Sequence, residues 1–209
     1  MGSKEINREP QPPKDLWPTL TEALSRIDLT EAWKNGLASL ETQGRPYYGY
    51  GTRVDDDYGP NRSPGYALGR YQMRKPGLRD AGMLDGERWT GKYGINSEEE
   101  FMNNPAVQEA ALKDLTVKIE EYIKKGGLDK KVGKAIESDQ GKLDLSYSKL
   151  VAAIHNQGIG ATRDYLRWVE DNGWDSRGKI NSIENGARRN AFNGIEERLR
   201  KFPDVPYKE

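Results

Sequence analysis

The sequence predicts a mainly α-helical fold, or an α+β fold with very little strand, and two observations support this. In several stretches apolar residues recur at the spacing of a helix, with capping residues before them and glycine or proline after them. Between two of these stretches, residues 43–66 contain five glycines, three prolines and five tyrosines. Such a composition excludes a long helix, so this segment is predicted to be a loop or a short β-hairpin.

Length and composition predict one domain with a short appendage. The chain has 209 residues, of which 34% are hydrophobic and 32% are charged, and a chain of this length buries roughly 70% of its unfolded surface. Residues 1–15 are polar and rich in proline, which predicts an extended tail or linker. Residues 16–209 are predicted to form the domain. No apolar run approaches the ~20 residues of a membrane span.

The first long helix is predicted to end at Glu41. Asp28 and Glu31 fit a capping box at its start, and Trp33 and Leu37 follow at helical spacing. The glycine-rich segment begins directly afterwards, so Glu41 is expected on the last turn of an amphipathic helix.

Later helices are marked by capping residues. Ser97 with Glu100 resembles a capping box, and Asn104 before Pro105 predicts a helix start. The apolar stripe that follows ends at Gly126. Further helices are predicted at 146–156, 160–171 and 182–201, the last capped by Asn181 with Glu184 and followed by Pro203.

The side chains present limit the chemistry. The chain has no cysteine, which excludes disulfides, thiol nucleophiles and thiolate metal sites. A single histidine, His155, excludes a His-rich zinc site. We therefore expect no metal and no cofactor. The 33 basic and 33 acidic side chains cancel, so we expect no nucleic-acid partner. Carboxylates become the leading candidates for catalysis, which favours glycosidase-type chemistry.

Four short segments carry a family resemblance. Residues 37–44 read LASLETQG, residues 66–73 read YALGRYQM, residues 101–111 read FMNNPAVQEAA and residues 150–166 read LVAAIHNQGIGATRDYL. In this order they resemble the lysozyme-like superfamily of peptidoglycan-cleaving enzymes, especially its soluble lytic transglycosylase and phage-type muramidase branches. The resemblance covers roughly residues 30–172, and the ordered set is more specific than any one segment.

The resemblance implies a fold and a site. The fold is a two-lobed helical domain in which the irregular or β-hairpin region lines a cleft. The catalytic acid is implied at Glu41, and substrate-binding side chains are implied at Tyr71, Gln72 and Asn156. The alternative for Tyr71 and Gln72 is a place in the core with a hydrogen-bond partner, and for Asn156 it is a role in holding the cleft.

Two positions depart from the family pattern. His155 stands where the transglycosylases usually place tyrosine, which puts a substrate contact in doubt. Arg70 replaces an apolar residue, which puts the local packing in doubt. His155 lies on an apolar helix beside Val151 and Ile154, so we favour a packing role for it over proton transfer.

A physical argument for Glu41 stands beside the resemblance. A glycosidase acid must carry a proton near neutral pH. A glutamate at a helix end, against Leu37 and Leu40, is desolvated, and desolvation raises the pKa of a carboxyl group. The negative end of the helix dipole acts in the same direction. We therefore expect a raised pKa for Glu41; the alternative is a solvated helix-end residue without a catalytic role.

Asp55, Asp56 and Asp57 are the candidates for a second catalytic carboxylate, since they lie in the segment expected to wall the cleft. Hydrolysis with inversion needs a base about 6.5–9.5 Å from the acid. The alternative is a solvated acidic turn, in which case the sugar's own hydroxyl would attack, as in a lytic transglycosylase. Tyr48 and Tyr50 are candidates for stacking on sugar rings, or for a plain loop core.

The expected function is hydrolysis of peptidoglycan glycan strands between N-acetylmuramic acid and N-acetylglucosamine, with lytic transglycosylation as the close alternative. Two further alternatives are a non-catalytic cell-wall-binding module and a structural helical domain of a phage tail or secretion apparatus. Residues 1–18 lack the apolar core of a secretory signal, so we expect delivery to the periplasm or cell wall within a larger phage or secreted protein. An immunity protein or an upstream delivery domain would then be a partner.

Overall fold

The computed structural model describes residues 19–25, 28–42, 49–56 and 65–208. Within these ranges the protein is mainly helical with three small antiparallel sheets, which confirms the predicted fold class at that level. None of the described helices combines the length and apolarity that crossing a membrane requires. The predicted linker, residues 1–15, lies outside the described residues.

Helices and short strands alternate along the chain. Helices α1 to α7 span Leu20–Ser25, Glu31–Glu41, Lys75–Asp80, Glu98–Met102, Pro105–Lys125, Tyr147–Asp171 and Gly186–Lys201. Strands β1 to β7 span Arg53–Asp56, Gly65–Leu68, Met73–Arg74, Leu84–Asp85, Arg88–Trp89, Ala135–Ser138 and Gly141–Asp144. Short 3₁₀ turns lie at Lys92–Gly94, Leu128–Lys131 and Ile180–Ser182.

Helix α2 has the predicted end but a different start. Its last residue is Glu41, as expected. Its N-cap is Thr30, whose Oγ1 accepts a hydrogen bond from the backbone N–H of Trp33 at 3.1 Å. The predicted capping box of Asp28 and Glu31 is therefore wrong, because Thr30 stands at the position from which a hydroxyl reaches the third N–H of the helix.

The described part of the glycine- and tyrosine-rich segment contributes to a small sheet. Strands β1, β2 and β3 pair antiparallel in that order. Val54 lies opposite Ala67, and Ala67 lies opposite Arg74. Residues directly opposite each other in neighbouring strands present their side chains on one face, so these three form a continuous surface.

Helix α5 has the predicted boundaries and packs at the centre of the fold. The Asn104 side chain accepts from the N–H of Val107, and Pro105 takes the first helical position. Ser97 caps α4 by accepting from the N–H of Glu100, as predicted. Helix α5 contacts α1, α3, α4 and α6, so most of the other helices pack around it.

The hairpin of β6 and β7 was not predicted. Ile136 and Ser138 are buried while Glu137 is exposed, which is the alternation of a half-buried strand. Gly141 takes a φ of +98° at the turn. The alternating run is only four residues long, too short to stand out beside the helical patterns.

Helices α6 and α7 pack against each other. Helix α6 is divided by Gly158, whose φ of +81° is not helical, and this break confirms the two helices predicted at 146–156 and 160–171. Helix α7 begins later than predicted. Its N-cap is Asn185, which accepts from the N–H of Arg188 at 3.0 Å. Asn181 cannot cap it, because that residue lies in a 3₁₀ turn.

The chain end returns to α2 and fixes α7 beside it. Thr30 donates through its hydroxyl to the carbonyl of Pro206 at 2.6 Å. The indole of Trp33 is fully buried, packs on the rings of Phe202 and Tyr207, and donates to the carbonyl of Ser148 in α6. These contacts hold α2, α6 and the end of α7 together.

Candidate active site

A cavity of about 260 Å³ lies where the end of α2 meets the β1–β3 sheet, α6 and α7. It brings together three residues singled out in the sequence, Glu41, Gln72 and Asn156, although they lie far apart along the chain. The other described lining residues are Leu40, Thr42, Thr52, Val54, Ala67, Arg74 and Arg198.

The Glu41 carboxylate is buried among cationic side chains. Its side chain is 10% exposed, and its Oε1 lies 2.9 Å from Nη2 of Arg198 and 3.5 Å from Nδ1 of His155. Arg198 comes from α7 and His155 from α6. Glu41 is thus placed at a junction of three helices, on the wall of the cavity.

The pKa of Glu41 is lowered, so the raised pKa expected from the sequence is wrong. Burial raises the pKa of Glu41, as expected from the sequence. However, His155 and the positive charges of Arg198 and Arg74 lower the pKa by more, because they stabilise the ionised form at close range. These neighbours come from elements remote in sequence, so the local pattern around Glu41 could not show them.

Gln72 lies in a strained turn at the cavity wall. Its φ is +45°, in the left-handed region that costs a non-glycine residue about 1–3 kcal/mol. The side-chain Nε2 donates to the carbonyls of Gly69 at 2.8 Å and Thr52 at 3.3 Å. These bonds fix the turn against the strand that lines the cavity, and such strain commonly occurs at binding sites.

Asn156 and His155 approach the cavity from α6, directly before the break at Gly158. Asn156 lines the cavity, and its Oδ1 accepts from Nε2 of Gln157 at 2.7 Å. The His155 side chain is only 3% exposed, in accord with the predicted packing role. Neither ring nitrogen of His155 has a hydrogen-bond partner among the described residues, so its polar interaction there is the approach to Glu41.

Tyr71 lies in the core, as in the alternative of a core tyrosine with a partner, and it is not among the described residues that line the cavity. The residue is 1% exposed, and its hydroxyl donates to Oε1 of Glu109 at 2.5 Å. Tyr50 donates to the same oxygen at 2.6 Å and accepts from Nη1 of Arg70 at 2.7 Å; it is also not among the described lining residues. Arg70 is accommodated there because Tyr50 and Asn35 accept its hydrogen bonds.

A second catalytic carboxylate stays a prediction. The backbones of Asp55 and Asp56 belong to β1, but their side chains lie outside the described part of the structure. Asp57 and Tyr48 lie outside it altogether. Among the described residues that line the cavity, Glu41 is the one carboxylate.

Arg198 and Arg74 are the residues that the sequence analysis missed. A signal for Arg198 does exist, since it lies three residues after Ile195 and four before Phe202, both buried. An arginine on the apolar face of a helix needs a buried partner. The sequence does not say which carboxylate that partner is.

Comparisons of this chain with protein-family models, with curated proteins and with solved structures each gave no match. Among the described residues, no group of three or more histidine, aspartate or glutamate side chains is arranged to hold a metal ion. Function is therefore inferred from the cavity and from the segments that form it.

Proposed function

We propose that this protein cleaves bacterial peptidoglycan between N-acetylmuramic acid and N-acetylglucosamine, with Glu41 as general acid in a lysozyme-like, two-lobed fold. The observation that carries the proposal is the meeting of Glu41, Gln72 and Asn156 in one cavity. They come from the segments whose order resembles the peptidoglycan-cleaving enzymes. Amide groups both donate and accept hydrogen bonds, which suits the hydroxyl and N-acetyl groups of these sugars.

The lowered pKa of Glu41 determines the pH at which the reaction runs. A general acid must be protonated when the substrate arrives. A carboxyl group with a pKa below its ordinary range is mostly ionised at neutral pH. The protonated fraction grows as the pH falls, so we expect the rate to be highest on the acidic side of neutrality.

The same cations assist the proton transfer itself. When Glu41 gives its proton to the glycosidic oxygen, it becomes a carboxylate beside Arg198 and His155. The charge of Arg198 and the polar contact with His155 stabilise that carboxylate, which makes Glu41 a stronger acid in the step that breaks the bond. Fewer molecules are protonated at neutral pH, but each one is more reactive.

Hydrolysis is the leading form of the proposal, with a base from Asp55, Asp56 or Asp57 activating the water. Lytic transglycosylation is the second candidate, since it needs no second carboxylate. In that reaction Glu41 would protonate the leaving oxygen of N-acetylglucosamine as the 6-hydroxyl of the muramic acid attacks its own anomeric carbon. The hydroxyl proton would return to the Glu41 carboxylate, which leaves the 1,6-anhydro product.

A non-catalytic wall-binding module would not need the buried charges around Glu41. Burying a carboxylate with an arginine costs desolvation energy that apolar residues of similar volume avoid. A site that had lost its chemistry would be free to lose this pair. Its presence at the cavity wall supports the catalytic reading over a binding module or a structural domain.

The test is the loss of turbidity of a purified peptidoglycan suspension. We expect the wild-type protein to clear it and Glu41→Gln to be slower by about 10²–10⁴-fold, because glutamine cannot donate the proton. Glu31→Gln is the matched control, since it removes one charge from the same helix at a side chain that is 73% exposed. A folded Glu41→Gln variant with wild-type activity would refute the assignment.

A further inference from the structure

Arg198 has one terminal nitrogen on Glu41 and one that is uncommitted. Nη2 lies 2.9 Å from Oε1 of Glu41, and the two side chains are 9% and 10% exposed. Nη1 is buried and has no hydrogen-bond acceptor among the described residues. Arg198 is also one of the residues that line the cavity, so it holds the acid at the wall of the space where a substrate would lie.

Two glycines allow the close helix packing that places Arg198 at the cavity wall. A Cβ on Gly194, one turn before Arg198, would lie 2.5 Å from Nε2 of Gln157 in α6. A Cβ on Gly36 in α2 would lie 2.7 Å from Cγ of Pro203, just after α7. The absence of these side chains lets α7 approach α6 and α2 on both sides of Arg198.

We propose that Arg198 is a positioning residue for the reaction: Nη2 fixes Oε1 of Glu41 at the wall of the cavity, so that the acid is directed at the bound glycan. This inference rests on the proposed function. A guanidinium is suited to the task because its donors are held in a rigid plane. The Glu41 carboxylate would then keep one orientation toward the cavity.

Three basic side chains face Glu41, and Arg198 differs from the other two. His155 approaches from α6 at 3.5 Å and is charged only when protonated. Arg74 acts from β3 through its charge. Arg198 is permanently charged, and its Nη2 lies closer to Oε1 of Glu41 than Nδ1 of His155 does, at 2.9 Å against 3.5 Å. Removing it should therefore change both where Glu41 points and where it titrates.

Two substitutions separate the effect of Arg198 on the pKa of Glu41 from its effect on the orientation of the Glu41 carboxyl. Arg198→Gln removes the positive charge, so the pKa of Glu41 should rise and the upper limb of the pH–rate profile should move to higher pH. Arg198→Lys keeps the charge but lacks the planar pair of donors. Arg198→Lys should therefore leave the upper limb of the pH–rate profile at the same pH. It should lower the maximal rate, by up to about 100-fold if the Glu41 carboxyl is misplaced by about 1 Å.

The experiment combines rates of peptidoglycan solubilisation from pH 4 to 8 with a ¹³C NMR titration of the Glu41 side-chain carboxyl. Lys201→Gln is the control, because it removes one charge from an exposed position on the same helix. We expect it to change neither the limb nor the titration. Circular dichroism and melting temperature establish that each variant is folded.

The NMR titration makes the two proposals separable. If Glu41 titrates in Arg198→Gln as in the wild type, or if Arg198→Lys keeps the full maximal rate, the inference is overturned. If Arg198→Gln does not fold, the maximal rate and titration of Arg198→Lys still decide the point. If Glu41 titrates higher in Arg198→Gln while the wild type releases nothing from peptidoglycan, the ion pair stands and the proposed function fails.

Discussion

Glu41 and Glu109 are both buried glutamates with cationic neighbours, and both have a pKa below the ordinary value. Their surroundings differ. Oε1 of Glu109 accepts hydrogen bonds from the hydroxyls of Tyr50 and Tyr71, and Oε2 accepts one from Nζ of Lys34. Oε1 of Glu41 has charges nearby but no well-aligned hydrogen bond among the described residues.

The comparison separates a carboxylate with a structural role from the one that we propose as the catalytic acid. Glu109 is saturated by donors and ties the tyrosines to α5, so its proton-accepting capacity is already used. Among the described residues, Oε1 of Glu41 has ion-pair contacts in place of such donors, and Glu41 lines a cavity. Both glutamates have a lowered pKa, so the proposed role of Glu41 rests on its incomplete hydrogen bonding and its place at the cavity.

The largest effect on stability should come from Glu109→Ala. Removing this carboxylate takes one ion-pair partner from Lys34 and from Arg70, both about nine-tenths buried at the side chain, and the acceptor from the hydroxyls of Tyr50 and Tyr71. Lys34 keeps its contact with Glu31. Breaking a buried ion pair in this way costs about 3–5 kcal/mol in the free energy of unfolding. Urea denaturation measures it. The control is Glu121→Ala, which breaks a more exposed ion pair on the same helix and should cost less than about 1 kcal/mol. An equal loss in the free energy of unfolding for the two variants would contradict the structural role of Glu109.

A smaller loss is expected for Gly69→Ala. Gly69 has a φ of +70°, and a Cβ there would lie 2.0 Å from Oε1 of Gln108. That amide accepts from the N–H of Arg70 and donates to the carbonyl of Tyr50, so its displacement adds lost hydrogen bonds to the backbone strain, about 2–4 kcal/mol together.

Gly127→Ala is the matched control for that substitution. Gly127 has a φ of +65° and open space at its Cβ position, so it measures the backbone strain alone, about 1 kcal/mol. Equal melting temperatures for the two variants would show that Gln108 moves aside without cost.

The smallest effect concerns the acidic segment. One among Asp55→Asn, Asp56→Asn and Asp57→Asn should lower the rate of peptidoglycan cleavage by about 10–100-fold without lowering the melting temperature, because a water-activating base is lost. Initial rates on purified peptidoglycan test the three variants. Wild-type rates in all three variants would contradict the hypothesis of a second catalytic carboxylate in this segment and would favour transglycosylation.

Much of the fold was predictable from the sequence, because its signals are local. Caps at Ser97 and Asn104 and the break at Gly158 depend on residues within one helical turn. The start of α2 was mistaken because Thr30 and Asp28 are both good caps, and only the return of the chain end to Thr30 distinguishes them.

The candidate site was predictable only in part, for a physical reason. The positions of Glu41, Gln72 and Asn156 follow from short segments, and the cavity brings them together. The sign of the Glu41 pKa shift depends on His155, Arg198 and Arg74, which are near only after folding. The sequence left two roles open for Tyr71, because a tyrosine beside Gln72 serves equally well in a core or a cleft until Glu109 is known to be its acceptor.

Mass spectrometry of the soluble fragments released from purified peptidoglycan tests the central claim most directly. We expect the wild-type protein to release muropeptides with reducing N-acetylmuramic acid ends, and Glu41→Gln to release about 10²–10⁴-fold less. Anhydro ends, lighter by one water, would mean that the reaction is lytic transglycosylation and not hydrolysis, while the proposed acid and the proposed substrate would both stand. Equal release by the folded Glu41→Gln variant, or no release by the wild type, would contradict the account.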